Sequence, residues 1–383
     1  MAGTGGSRGE VKNVVGIVLI LLGIAALGLW LTLDPPKRTP SRGAGHPRVA
    51  ATSPATLHDR HPEYPDTALE QELRALTSRS PARCSVMAEN LRNGAVARVN
   101  PDERIPLMSV VKLPVAIVVL DGVDQGRWFL DTPITLLPHD MHPKGWLGDR
   151  YPRGGGPVTL YRLLDLMMRF SDNSAADALM RVIGGPSVAT AWLERHGIRD
   201  LRVDRTERDL GDDWYGLAPG ADTLGSAEEI REVRAEVPEA VHDSAAQAML
   251  LDPRDTGTAT ACVQVLGQLW RGNLLSEAMT DTLKSILARC KTARDRLPAL
   301  LPKGTPVARK TGTGGTSRGV TIAINDVGVI RLPNGDDVAI AVLIGEPRLR
   351  RRQTDRLIAR IARTVFDAWS GPGAERPGWS KSR

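Results

Sequence analysis

What most constrains this chain is where its two kinds of hydrophobic pattern fall. Alternating, strand-like runs occur early, in CSVMAENLRNGAVARVN from residue 84, and again late, in RGVTIAINDVGVI from 318 and DDVAIAVLIGE from 336. Between about 109 and 290 the pattern is helical, as in SVVKLPVAIVVLDGV and TLYRLLDLMMRF. A chain so ordered can bury its apolar faces by pairing early and late strands in one sheet, with the helical middle packed as a subdomain. The expected class is therefore α/β of the α+β type: an antiparallel sheet from both chain ends, flanked by helices, with an inserted all-helical subdomain. Asn93-Gly94 between two apolar runs marks a hairpin. Leu69, Leu73 and Leu76 predict a helix over 66–79, and Leu357, Ile358, Ile361 and Val365 predict a closing helix.

Residues 14–33 are 20 uncharged, almost wholly apolar residues, enough to span a bilayer as a helix. The expected organisation is a short cytoplasmic segment 1–13, a membrane anchor 14–33, a Pro- and Arg-rich tether 34–65, a folded domain 66–370 and a disordered tail 371–383. A cleavable signal peptide is the rival reading of 14–33. Basic residues after the run outnumber those before it, against the positive-inside count, but long domains translocate largely regardless of charge. The net charge of +6 is scattered and only 4% of residues are aromatic, so nucleic acid is not an expected partner. Cys84, Cys262 and Cys290 match no metal spacing and read as small, mostly buried side chains.

Three short motifs carry chemistry. Ser109-Val110-Val111-Lys112 puts an amine three residues after a hydroxyl, on one helix face. A free Ser is a weak nucleophile, and an adjacent base activates it. Pro114 lies in the same expected helix, where it forfeits a hydrogen bond and so hints at a site. Ser171-Asp172-Asn173 follows a helical run; alone it reads as helix punctuation. Lys310-Thr311-Gly312-Thr313-Gly314 opens the strand-rich end; alone it reads as a glycine turn.

Together, in this order and on these elements, the three resemble the signature of class A β-lactamases and penicillin-binding proteins. The resemblance runs from about residue 67 to 369 and implies a β-lactamase-like fold. It also implies a serine hydrolase that opens a β-lactam, or a D-alanyl peptide, through an acyl-enzyme on Ser109. Lys112, Ser171 and Glu207 are then the other catalytic residues, Glu207 lying in a segment, Asp204-Arg205-Thr206-Glu207, that looks like the family's deacylating loop. Asn173, Lys310, Thr311, Gly312, Thr313 and Arg318 are the implied substrate-binding residues, and Arg205 is the implied partner of Asp255. Trp146 is a candidate for the cleft mouth. No cofactor or metal is expected, and the chain is expected to be a monomer. A D,D-peptidase-like hydrolase and a membrane-tethered β-lactam sensor are the alternatives. Two departures stand out. The family's Asn four residues after the Glu is Gly211 here, and 49 residues separate Arg205 from Asp255, leaving an insertion over about 211–253 that reads as one or two helices.

Overall fold

The computed structural model describes residues 64–218, 225–348 and 350–371. Segments 1–13 and 14–33, nearly all of the tether and all but the first residue of the tail lie outside the described residues. Among the described residues no helix is long and apolar enough to cross a membrane.

The sheet is built from both chain ends. Its strands are β1 (Tyr64–Pro65), β2 (Arg83–Asn90), β3 (Ala95–Val99), β4 (Val307–Thr313), β5 (Ala323–Arg331) and β6 (Asp337–Gly345), in the spatial order β1-β3-β2-β6-β5-β4. Apart from the short parallel pair β1–β3, every pairing is antiparallel, with β6 joining the late strands to β2. The period of two decides which face each side chain meets. Val86, Ala88, Ile340, Val342 and Ile344 pack under helices α1 (Thr67–Thr77) and α12 (Arg351–Trp369). Met87, Ala339, Ala341 and Leu343 face the second core, shared with the helical middle. The Asn93-Gly94 turn joins β2 to β3, and Gly94 takes a positive φ of 75°.

The middle contains α2 (Lys112–Asp124), α3 (Trp146–Arg150), α4 (Leu160–Arg169), α5 (Asn173–Ile183), α6 (Pro186–Arg195) and α7 (Glu207–Tyr215). The insertion forms two helices, α8 (Ala227–Ala235) and α9 (Glu239–Leu250), before α10 (Ala259–Trp270) and α11 (Glu277–Ala288). Ser226 and Glu229 form a capping box at the start of α8, and Pro238 stands at the N-cap of α9. α2 is apolar nearly all round, as a helix at the centre of a core must be. Pro114 is the third residue of α2, within its first turn, where a proline is tolerated.

The three cysteines are unpaired: Cys84 and Cys262 are buried and Cys290 is half-buried. Burial pushes the Cys84 thiol up to about 11 and the Cys262 thiol up to about 12, so neither is a nucleophile near neutrality.

Candidate active site

Ser109 lies in a 3₁₀ turn, Met108–Val111, that feeds directly into α2. Three residues per turn eclipse side chains at i and i+3, which sets Lys112 over Ser109. The turn is strained: Met108 adopts φ 52°, a region that non-glycine residues seldom occupy outside sites that need it. The sheet holds it in place. Buried Asn325 of β5 donates to the carbonyls of Pro106 (2.9 Å) and Leu107 (3.1 Å) and accepts from the Ile344 N–H (3.2 Å). Gly312 makes the approach possible, since a Cβ there would lie 2.3 Å from the Leu107 carbonyl oxygen.

Ser171-Asp172-Asn173 serves as both punctuation and site. Asp172 caps α5 by accepting from the Ala175 N–H (3.0 Å), and it also accepts from the Leu147 N–H (3.0 Å). Ser171 itself holds a left-handed backbone, φ 60°. Lys112, fully buried, places its Nζ 2.9 Å from the Ser171 carbonyl, 3.3 Å from Ser171 Oγ and 2.6 Å from Asn173 Oδ1. The same Nζ is 3.1 Å from Glu207 Oε1. From the opposite element, Lys310 on β4 donates to Ser171 Oγ at 3.0 Å. Ser171 thus bridges two amines. Burial, with the charge of Lys112 adding to it, pushes Lys310 down to about 7.

Glu207 is the first residue of α7. Thr206 caps the helix reciprocally with Asp209. Asp177 of α5 accepts from the backbone N–H of Glu207 (2.7 Å) and of Arg208 (3.0 Å), while its second oxygen also meets His142 Nε2 (2.7 Å). The base of this loop is tied by Arg205, whose guanidinium reaches Asp255 (2.6 Å), Asp213 (2.6 Å) and Asp252 (3.0 Å). These carboxylates come from both ends of the insertion, so the 49-residue separation closes on one cation.

A cavity of about 570 Å³ is lined by Ser109, Ser171, Asn173, Glu207, Thr311 and Thr313 among others. β4 is an edge strand of the sheet, leaving one side of its backbone open beside this cavity. Thr311 Oγ1 lies 2.6 Å from Thr292 Oγ1, and Thr313 Oγ1 accepts from Arg296 at 2.8 Å.

Two expected positions lie elsewhere. Arg318 does not line this cavity: it sits at φ 47° in the hairpin of Thr316–Ser317 and Val320–Thr321, two-thirds exposed, with its Nε 2.6 Å from Asp243 Oδ2. The reason is the insertion, since α9 supplies Asp243, which takes Ser317 as well. The cation that meets β4 is instead Arg296, fully buried and bound to Asp355 (2.7 Å), the carbonyls of Gly312 (2.9 Å) and Asn325 (2.8 Å), and Thr313. Trp146 also lies off the cavity. The Asp172 bond to Leu147 turns Leu147 inward, and Trp146 is left half-exposed beneath Arg162 and Arg150. Arg296, Asn325 and Asp177 escaped sequence reasoning because each sits in an ordinary loop, strand or helix pattern, and only the fold brings them together.

A buried Lys beside a Ser on a constrained turn, with a second Ser–Lys pair and a carboxylate at the same cavity, defines a serine hydrolase working through an acyl-enzyme. The chain belongs to the Beta-lactamase enzyme family, whose match covers residues 68–369. It is similar to Beta-lactamase VEB-1 of Pseudomonas aeruginosa, 28% identical over 288 residues, covering 75% of this chain and 85% of that protein. It is also similar to Extended-spectrum beta-lactamase PER-1 of the same organism, 29% identical over 276 residues, covering 70% and 76%. The crystal structure of a beta-lactamase from Chitinophaga pinensis superposes with a TM-score of 0.66 at 26% identity, covering 79% of this chain and 99% of that one.

Proposed function

We propose that this protein is a serine β-lactamase: Ser109 opens the β-lactam amide, and water activated by Glu207 hydrolyses the resulting ester. The observation that carries this reading is the meeting of Lys112 with Ser171, Asn173 and Glu207, all within 3.3 Å of one buried amine. Ser109 Oγ attacks the lactam carbonyl, and its proton passes to the neutral form of Lys112 or, when Lys112 is charged, through a water to Glu207. The backbone N–H groups of Ser109 and Thr313 receive the negative charge that develops on the carbonyl oxygen; such donors contribute about 3–4 kcal/mol each. Ser171, in contact with Lys310, returns a proton to the departing nitrogen. Asn173 has committed its carbonyl to Lys112, so it meets the substrate's side-chain amide with its N–H groups. Lys310, Thr311 and Thr313 hold the carboxylate common to β-lactams, the backbone of Gly312 keeping β4 close to the nucleophile. In place of Arg318, Arg296 supports that site by fixing the Thr313 hydroxyl.

The domain is proposed to act outside the cytoplasm as a monomer, anchored by residues 14–33. A chromogenic cephalosporin tests the activity. Wild type turns it over, and Ser109→Ala loses at least about a thousandfold. A stable adduct on wild type without turnover would favour the peptidase or sensor reading instead.

The proton on Lys310 gives a pH signature. Its amine is charged below about 7 and neutral above, and the substrate carboxylate is bound by the charged form. Thus kcat/KM falls as pH rises through about 7, and Lys310→Arg, which stays charged, removes that limb. A basic limb unchanged in Lys310→Arg would take Lys310 out of the role.

A further inference from the structure

The inserted helix α8 sends one side chain into the cavity. Arg234 lies over Gly211, where a Cβ would be 2.3 Å from its Nη2 and 2.9 Å from its Cζ, so any larger residue at 211 displaces the guanidinium. Its Nη2 donates to Asp212 Oδ1 at 2.8 Å, and its Cζ stands 5.3 Å from the centre of the Tyr215 ring. The guanidinium has further N–H donors, and Nε has no hydrogen-bond partner. Both Arg234 and Gly211 line the cavity that holds Ser109 and Glu207, as does Lys144 of the loop before α3.

Position along α7 says what this cation can reach. Glu207 and Gly211 are four residues apart and share one face of that helix. Asn173, which meets the same lysine as Glu207, lies at the near end of that face. An acyl substituent held at Asn173 that runs along α7 arrives at Arg234 about one helical turn, ~5.4 Å, further on. This wall is distinct from β4, whose lysine and threonines hold the carboxylate on the ring. It carries Arg234, which Asp212 also meets, and Lys144, and among the described residues Glu207 is the one acid that lines the cavity.

We infer that Arg234 is a specificity-determining residue that binds a carboxylate at the distal end of the substrate's acyl side chain; this rests on the β-lactamase reading above. The insertion supplies the cation, Gly211 leaves the space for it, and Asp212 and Tyr215 hold it in place.

The test uses two 3-vinyl cephalosporins with the same aminothiazolyl oxime side chain. In one the oxime oxygen bears hydrogen, and in the other a carboxymethyl group. Wild type is expected to favour the carboxymethyl compound by about tenfold in kcat/KM, through KM rather than kcat, as a uniform binding interaction does. Arg234→Gln is expected to lower that ratio about tenfold, and Arg234→Lys to keep part of it. Because both substrates share each enzyme preparation, a general loosening of the loop cancels in the ratio. A ratio that stays the same in Arg234→Gln, or no wild-type preference, overturns the proposal while turnover of the chromogenic cephalosporin leaves the β-lactamase reading standing. Absence of turnover on all three compounds overturns both.

Discussion

Replacing Glu207 by Gln is expected to convert a catalyst into a trap. Acylation by the direct route to Lys112 uses Ser109, Lys112 and Ser171, and these keep their contacts, since Lys112 still has Ser171 and Asn173 at 3.3 Å or less. The ester then needs a base to activate water. Among the described residues Glu207 is the one carboxylate lining the cavity, and a Gln of the same shape cannot accept the proton. Loss of a positioned general base costs about 10²–10⁴-fold. The expected result is a kcat lower by that factor, a lower KM because the acyl-enzyme accumulates, and a burst whose amplitude matches the enzyme concentration. Stopped-flow kinetics with a chromogenic cephalosporin reads all three. Unchanged steady-state turnover would remove Glu207 from the mechanism.

The second large effect is expected at Arg205, which touches no substrate. Its side chain is 6% exposed and is met by Asp213, Asp252 and Asp255. Arg205→Ala leaves Asp255 with no cation and with two backbone N–H groups, those of Asp204 and Arg205, as its remaining donors, while Asp213 and Asp252 keep Arg254 at 2.8 and 2.6 Å. Breaking a buried pair on one side costs about 3–5 kcal/mol. The loss falls on the loop that carries Glu207 more than on the turn that carries Ser109, because that turn keeps Asn325 as a second anchor beside the Leu107 N–H bond to the Asp255 carbonyl. Urea unfolding should therefore show lower stability, while a burst of acylation survives and deacylation slows. Equal stability in the variant, or equal loss of acylation and deacylation, would contradict this division of labour.

The sequence made some of this legible, for physical reasons that differ by element. The strands and the framing helices could be read because both faces of the sheet are buried, which makes short continuous apolar runs such as residues 86–88 and 338–344. The three motifs could be read because Ser109–Lys112 and Ser171–Asn173 depend on local spacing. The Arg205–Asp255 pair followed from the resemblance, and its atoms lie 2.6 Å apart. What could not be read is what depends on a distant segment. Arg318 seemed free to face a substrate until α9 brought Asp243 against it. Arg296 carried no motif, and its role comes from Asp355, some 59 residues away in the chain. Gly211 looked only like a missing Asn, because the guanidinium filling the space belongs to an insertion with no fixed pattern.

The most direct measurement is the mass and position of the covalent intermediate. Glu207→Gln protein is incubated with benzylpenicillin, digested and mapped by mass spectrometry, alongside the Glu207→Gln, Ser109→Ala double variant. The expected result is a gain of one intact penicillin on the peptide that contains Ser109, and no gain in the double variant. An adduct on any other residue, or one that persists when Ser109 is alanine, would contradict the convergence of Ser109, Lys112, Ser171 and Lys310 on one reacting carbonyl.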